Sequence, residues 1–155
     1  PPARRLLVPG AGGGGRSDVK KLLDAGAQVE VYDLNRDSAA AVCAEFSGAR
    51  ALDAVVPEDR FLIVNVTGVG MHKTEGISPV GADVLARCEA AVDLIYYPRK
   101  SEFLRIAESL GKPIVNGEGM LFYQAYYADC IVLGRTPRAE EAKALFEQYR
   151  EVYKG

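Results

Sequence analysis

The sequence predicts an α/β fold, a doubly wound parallel sheet in a three-layer α/β/α arrangement. Two observations carry this. Short β-type apolar runs alternate with helical stripes along the chain, the order a parallel sheet requires because each crossover carries the chain back over one face. Two of those runs, Phe61-Leu62-Ile63-Val64-Asn65-Val66 and Ala90-Ala91-Val92-Asp93-Leu94-Ile95, show no in–out alternation. A strand buried on both faces reads that way.

The elements follow in order. Arg5-Leu6-Leu7-Val8 is a short strand that stops at Pro9-Gly10. Val19, Leu22 and Leu23 give one apolar face of a helix, and Gly26 ends it, as glycine does past a helix carboxyl terminus. Val29, Val31 and Tyr32 form the next strand. Asp37 or Asn35 caps a second helix through Ala41, Val42 and Phe46. The two buried runs come next. Phe103, Leu104, Ala107 and Leu110 then make a helix stripe that closes at Gly111, and Pro113-Ile114-Val115 makes a last short strand. Residues 119–133 read as an aromatic-rich helix. Residues 138–153 read as a carboxyl-terminal amphipathic helix, with Ala142, Leu145, Phe146, Tyr149, Val152 and Tyr153 on one face.

At 155 residues the chain suits one domain, 1–155. The net charge of -2 offers no basic field for nucleic acid, and no apolar run approaches a membrane span, so neither partner is expected. There is no signal-peptide pattern. The first residue is Pro1, so the chain is expected to be a processed product or an excised piece. Cys43, Cys88 and Cys130 form no CxxC pair and suggest no disulfide framework, which makes a reducing cytoplasm the expected location. His72, the single histidine, cannot build a histidine metal site alone, and no metal is expected.

Between the first strand and first helix, Gly10-Ala11-Gly12-Gly13-Gly14-Gly15 satisfies G-x-G-x-x-G in the context that gives the motif meaning. Gly10 permits the tight turn, Gly12 lets the backbone approach a pyrophosphate, and Gly15 allows close helix–strand packing. The helix amino terminus supplies N–H groups and partial positive charge to the phosphates. The prediction sharpens to a Rossmann-type dinucleotide-binding domain. Asp18, early in that helix, suits the dipole but repels a phosphate slightly. Asp33 ends the second strand about 20 residues after the loop, where an acid reads the adenosine ribose hydroxyls. It would repel a 2′-phosphate, so NAD is expected rather than NADP; Arg36 nearby can hold that phosphate and keeps NADP open. The plain alternative for Asp33 is a loop acid or helix cap.

Four segments together resemble the shikimate/quinate dehydrogenase family. Gly10-Ala11-Gly12-Gly13-Gly14-Gly15-Arg16 is similar to its G-A-G-G-x-x-R loop. Asn65-Val66-Thr67-Gly68-Val69-Gly70-Met71 is similar to N-x-T-x-x-G-M, and Asp93-Leu94-Ile95-Tyr96-Tyr97-Pro98 to D-x-x-Y-x-P. Asn116-Gly117-Glu118-Gly119-Met120-Leu121-Phe122-Tyr123-Gln124-Ala125 is similar to G-x-G-M-L-x-x-Q. The resemblance implies a cofactor domain that binds NAD(P) in an enzyme passing hydride between nicotinamide and a ring carbon of shikimate or quinate. It implies cofactor contacts from Leu34 and Arg36 beside Asp33, and from Asn65, Val66, Thr67, Val69, Leu94, Gly119 and Met120. Tyr96 and Gln124 would reach the substrate. Asp33-Leu34-Asn35 resembles the NAD-preferring branch, where many NADP users have Asn-Arg-Thr. Tyr97 and the Gly68-Val69 pair depart from the common pattern and blur substrate identity.

The family's substrate domain, with its catalytic lysine and aspartate, would precede Pro1. No residue here is assigned as catalytic. His72 reads as an exposed loop residue, and because tyrosine ionises near pH ~10, Tyr96 suits hydrogen-bond donation better than proton abstraction. The chain alone is therefore expected to bind cofactor with little or no turnover. Two other readings are a stand-alone NAD-binding or sensing module serving another chain, and the cofactor domain of a dehydrogenase with another substrate, such as glutamyl-tRNA reductase. The G-x-G-M-L-x-x-Q segment disfavours the last. Tyr123, Tyr126, Tyr127 and the last helix either complete this domain's own core or pack on the absent one; where exposed they would make a sticky face and a homo-oligomer.

Overall fold

The computed structural model describes residues 4–153. Six strands form one sheet: β1 (Arg5–Pro9), β2 (Gln28–Tyr32), β3 (Ala49–Ala51), β4 (Arg60–Asn65), β5 (Cys88–Asp93) and β6 (Ile114–Val115). They lie in the order β3-β2-β1-β4-β5-β6, every pairing parallel. This is the strand order of a dinucleotide-binding Rossmann sheet, with its switch point between β1 and β4.

The period-two pleat divides the core. Leu7, Ile63 and Ala91 face one way and pack with Val84 and Leu85 of α3 (Ala82–Leu85) and Phe103, Leu104 and Ala107 of α4 (Glu102–Ser109). Val8, Val29, Val31 and Val64 face the other way and pack with Val19 of α1 (Gly13–Asp24) and Ala39 and Val42 of α2 (Arg36–Glu45). Each face therefore has its own helices, which is the expected three-layer arrangement. Asn35, not Asp37, caps α2: its side chain accepts from the N–H groups of Asp37 and Ser38. The β5 strand begins two residues earlier than the apolar run suggests, which leaves Leu94 and Ile95 in the loop beyond it.

Within the sheet lies a cluster the periodicity did not announce. Glu30, 4% exposed on β2, accepts from Arg60 Nε at 2.7 Å, from Arg5 at 2.8 Å and from Arg50. Arg60 also donates to the carbonyls of Val56 and Glu58, and Arg5 to the Glu58 carboxylate at 2.6 Å. A carboxylate this buried is tolerable because arginines meet both of its oxygens. They hold its pKa down at about 2 against the opposing effect of burial.

The expected single domain 1–155 divides into two compact units, the first ending at Asn116 and the second beginning at Gly117. The second unit is an antiparallel helical hairpin. Its α5 (Glu118–Val132) and α6 (Ala139–Val152) are joined by six residues. Near the turn, the Tyr126 hydroxyl accepts from the Arg138 N–H at 3.1 Å, and Tyr126 and Cys130 are buried against Ala142. Further along, Phe122 meets Phe146 and Tyr149, and Tyr123 meets Phe146. Tyr123 and Tyr126 thus serve the hairpin's own core. Tyr127, Ile131, Val132, Val152 and Tyr153 remain exposed. Among the described residues no helix is long and apolar enough to cross a membrane.

Candidate functional site

At the carboxyl ends of β1 and β4 the chain departs toward opposite faces of the sheet, the switch point at which open α/β sheets place their ligand crevice. After β1, the Gly10 N–H donates to the Tyr32 carbonyl at 2.8 Å, and Gly10 takes φ 104°, a conformation that favours glycine. A methyl there would also lie 2.9 Å from Thr67 Cγ2. Gly15 is held by close approach instead: a methyl on it would sit 2.6 Å from the Gly10 carbonyl oxygen and 3.0 Å from Val66 Cγ2. Gly12, Gly13 and Gly14 are exposed, with open space where a side chain would be.

The amino terminus of α1 is bare. Gly12 is its cap residue and offers no side chain, the first turn holds no acid, and the first helical bond runs from the Arg16 N–H to the Gly12 carbonyl at 3.1 Å. The N–H groups before that bond point out of a 12-residue helix, together with the positive end of its dipole. Asp18, one turn in, is largely covered; burial pushes its carboxyl pKa up, with Lys21 opposing.

Asp33 lies just past β2. One carboxylate oxygen accepts from the Ala11 N–H at 2.8 Å and the other from the Asn35 N–H at 2.8 Å. It therefore ties the glycine loop to the start of α2. Leu34 is 91% exposed beside it, and Arg36, also exposed, makes only a loose pair with Asp53 at 3.6 Å.

After β4, Asn65 is fully buried and organises the next loop. Its Oδ1 accepts from the Thr67 N–H at 3.0 Å and the Thr67 hydroxyl at 2.6 Å, and its Nδ2 donates to Asp93 Oδ1 at 3.0 Å. The Val69 N–H donates to Thr67 Oγ1 at 3.1 Å, the Leu94 N–H to the Asn65 carbonyl at 3.0 Å, and the Val66 N–H to the Pro9 carbonyl at 3.2 Å. Asp93 also accepts from the Ile95 N–H at 3.0 Å and from Ser101 Oγ. Burial raises its pKa; these three donors work against that. Sequence reading missed the Asp93–Ser101 link. Its trace is a polar residue closing an apolar run and a serine opening a helix stripe, where Ser101 caps α4.

The predicted residues thus fall into groups. Gly10, Ala11, Gly12, Gly13, Gly14, Gly15 and Asp33 form one loop system, and Asn65, Val66, Thr67, Val69 and Leu94 form the adjoining one. Tyr96, 48% exposed, lies three residues past β5. Gly119, Met120 and Gln124 belong to the second unit, on α5; Met120 and Gln124 are exposed, and Phe146 packs over Gly119. His72 is exposed at the start of a short 3-10 turn.

Comparison with known proteins places this architecture. Shikimate dehydrogenase (NADP(+)) of Thermus thermophilus is 37% identical over 131 residues, 84% of this chain and 49% of that protein. The structure of a chorismate mutase/shikimate 5-dehydrogenase fusion protein from Clostridium acetobutylicum superposes with TM-score 0.82 at 30% identity, covering 98% of this chain and 56% of that one. The chain belongs to the shikimate/quinate dehydrogenase family, matching its nucleotide-binding part. A quinate dehydrogenase from Corynebacterium glutamicum, in complex with NAD, superposes with TM-score 0.78 at 25% identity, covering 96% of this chain and 57% of its own. No family model matches the chain. The chain spans about half the length of the curated family members it matches.

Proposed function

We propose that this chain holds a nicotinamide dinucleotide for a shikimate/quinate dehydrogenase-like oxidoreductase. The observation that carries this is the bare amino terminus of α1 behind a glycine turn at the β1/β4 switch point. Exposed N–H groups, a dipole and open space at Gly12–Gly14 suit a pyrophosphate and little else. Bound there, the nicotinamide would supply the hydride acceptor or donor. The chain's own part is to orient the cofactor: Gly12–Gly14 at the phosphates, Asp33, Leu34 and Arg36 at the adenosine ribose, and the loop from Asn65 to Val69 with Leu94 at the far half. Tyr96 and Gln124 remain the proposed contacts for shikimate or quinate. Turnover is expected only with the rest of the family members' length supplied.

The NAD preference expected from Asp33 gives way to NADP. The Thermus thermophilus relative is named for NADP(+), both Asp33 oxygens already accept backbone N–H groups, and Arg36 is loosely enough held to pair with a 2′-phosphate. One observation favours NAD as a second reading, the NAD complex of the quinate dehydrogenase, which shares this fold.

The test is a fluorescence titration with NADPH and NADH of the wild-type chain, Asp33→Ala and Arg36→Ala. Tighter NADPH binding, weakened roughly tenfold by Arg36→Ala with NADH unaffected, is the expected result. Tighter NADH binding, lost in Asp33→Ala, would establish the NAD reading. Binding of neither by the wild type would sink the dinucleotide proposal.

A further inference from the structure

We infer that Asp93 is a positioning residue, which acts through Asn65 to hold Thr67 against the glycine turn and so fixes the spacing between the two loops of the crevice. The inference rests on the dinucleotide reading above and deepens it.

The connection is continuous. Asp93, fully buried, is anchored on its own side by the Ile95 N–H and Ser101 Oγ. It accepts from Asn65 Nδ2 at 3.0 Å, and Nδ2 also donates to the Val69 carbonyl at 3.4 Å, so together they fix the amide with Oδ1 toward Thr67. Asn65 Oδ1 then takes both the N–H and the hydroxyl of Thr67, and Thr67 Oγ1 takes the Val69 N–H. Turned the other way, the amide would present Nδ2 to two donors and leave them unpaired in a buried setting. The far side of Thr67 abuts the phosphate loop, with its Cγ2 where a Gly10 side chain would begin. The loop is seated a second time at Gly70, where a methyl would lie 3.2 Å from Ser101 Cβ and 3.3 Å from Ile95 Cδ1.

A carboxylate suits the hub. Three donors converge on two oxygens, and an asparagine amide has one acceptor atom to offer them. The Thr67 hydroxyl is committed to Asn65, so Thr67 contributes shape and loop position more than a hydrogen bond of its own. Asp93 is fully buried and offers a ligand no surface of its own. Its effect reaches a ligand only through the loop after β4, at the half of the dinucleotide distant from the adenosine.

The experiment separates the two halves. The wild-type chain, Asp93→Asn and Thr67→Val are titrated with NADPH and NADH, and with ADP-ribose and its 2′-phosphate, which lack the nicotinamide ring. Thr67→Val keeps the methyl against Gly10 and removes only the two hydroxyl bonds, so it carries the test if Asp93→Asn does not fold. The expected result is a roughly tenfold loss for the dinucleotides with the ring-less fragments bound as by wild type. Equal losses for whole and fragment would show a general structural role and overturn the inference, as would no loss for either. A wild type that binds none of the four would remove the dinucleotide reading, and this inference with it.

Discussion

The glycine loop gives a prediction in which neighbouring glycines respond for different physical reasons. Consider Gly15→Ala. The new methyl would meet the Gly10 carbonyl oxygen at 2.6 Å and Gly10 C at 3.2 Å. Both are backbone atoms of a turn that Thr67 closes off from behind, so neither rotates away. An ordinary contact between such heavy atoms is ~3.5 Å, so β1 and α1 must separate or the turn must distort. Overpacking of this kind costs about 1–3 kcal/mol, against a helix-propensity gain of at most ~1 kcal/mol for alanine over glycine. The net is a loss of about 1–2 kcal/mol, which for a chain this size lowers Tm by roughly 2–8 °C. Gly12→Ala differs at every step. Gly12 has φ -68°, open to any residue, and nothing lies within 4 Å of its added methyl. As a cap, glycine is preferred to alanine by about 0.5–1.5 kcal/mol, so Tm should fall by roughly 1–6 °C with no clash to relieve, while dinucleotide affinity falls at least roughly tenfold because the methyl occupies the proposed pyrophosphate path. Thermal denaturation and nucleotide titration on the two variants decide it. A Gly15→Ala chain as stable as wild type would refute the packing argument. A Gly12→Ala chain that binds normally would refute the assignment of that backbone to the phosphates.

Two further predictions concern stability. Glu30→Gln leaves Arg60, whose side chain is 1% exposed, without its carboxylate, and should cost about 3–5 kcal/mol in urea denaturation at pH 7. The folded pKa of Glu30 is lowered from 4.5 to about 2, so its contribution is fully present above the unfolded value and is lost as pH falls through about 2. The gap between wild type and variant should therefore narrow from pH 5 to pH 2; a constant gap would mean the ion cluster is not its source. Tyr126→Phe removes the oxygen that accepts from the Arg138 N–H and contacts Glu141 at 3.2 Å. Hydrogen exchange at the start of α6 should quicken by roughly tenfold, about 1–2 kcal/mol, with the sheet amides unchanged.

Legibility in the sequence followed the strength of local signals. The buried strands were readable because both faces are covered, and each run carries a single polar residue, Asn65 or Asp93, at the carboxyl end of its strand. Gly10 and Gly15 were given the right roles, because a tight turn and a close approach each exclude a side chain. The three-residue β3, Ala49–Ala51, carries no apolar run, since it is an edge strand supported by β2 alone. The four-residue α3 is too short for a periodic stripe to emerge. The Glu30 cluster was invisible for a different reason. Its partners lie 20, 25 and 30 positions away, and only the parallel register, which sets Glu30 beside Arg50, makes a central-strand glutamate compatible with burial. The Asp93–Asn65 contact is similar: each residue closes its own strand, and they meet because β4 and β5 pair Asn65 with Asp93.

These two clusters show how one sheet serves stability and a site at once. Around Glu30, toward the starts of β1 and β4, the polar groups answer one another: Arg5 and Arg60 converge on the same carboxylate, and Arg60 Nη1 donates to the carbonyls of Val56 and Glu58. A closed set of that kind leaves little for a ligand. At the opposite ends of the same strands, Asn65, Asp93 and Ser101 also answer one another, and they bind the backbone N–H groups of Thr67 and Ile95 in the loops that follow. On the other side of the switch point, the cap residue of α1 is Gly12, which has no side chain to offer the first N–H groups of the helix. Unpaired donors at a helix end are stable only in contact with water or an anion. The buried side chains set the loop after β4 and the cap glycine sets the donors of α1, so disturbing Asp93 is expected to register at the half of the dinucleotide distant from the adenosine, with the phosphate site kept.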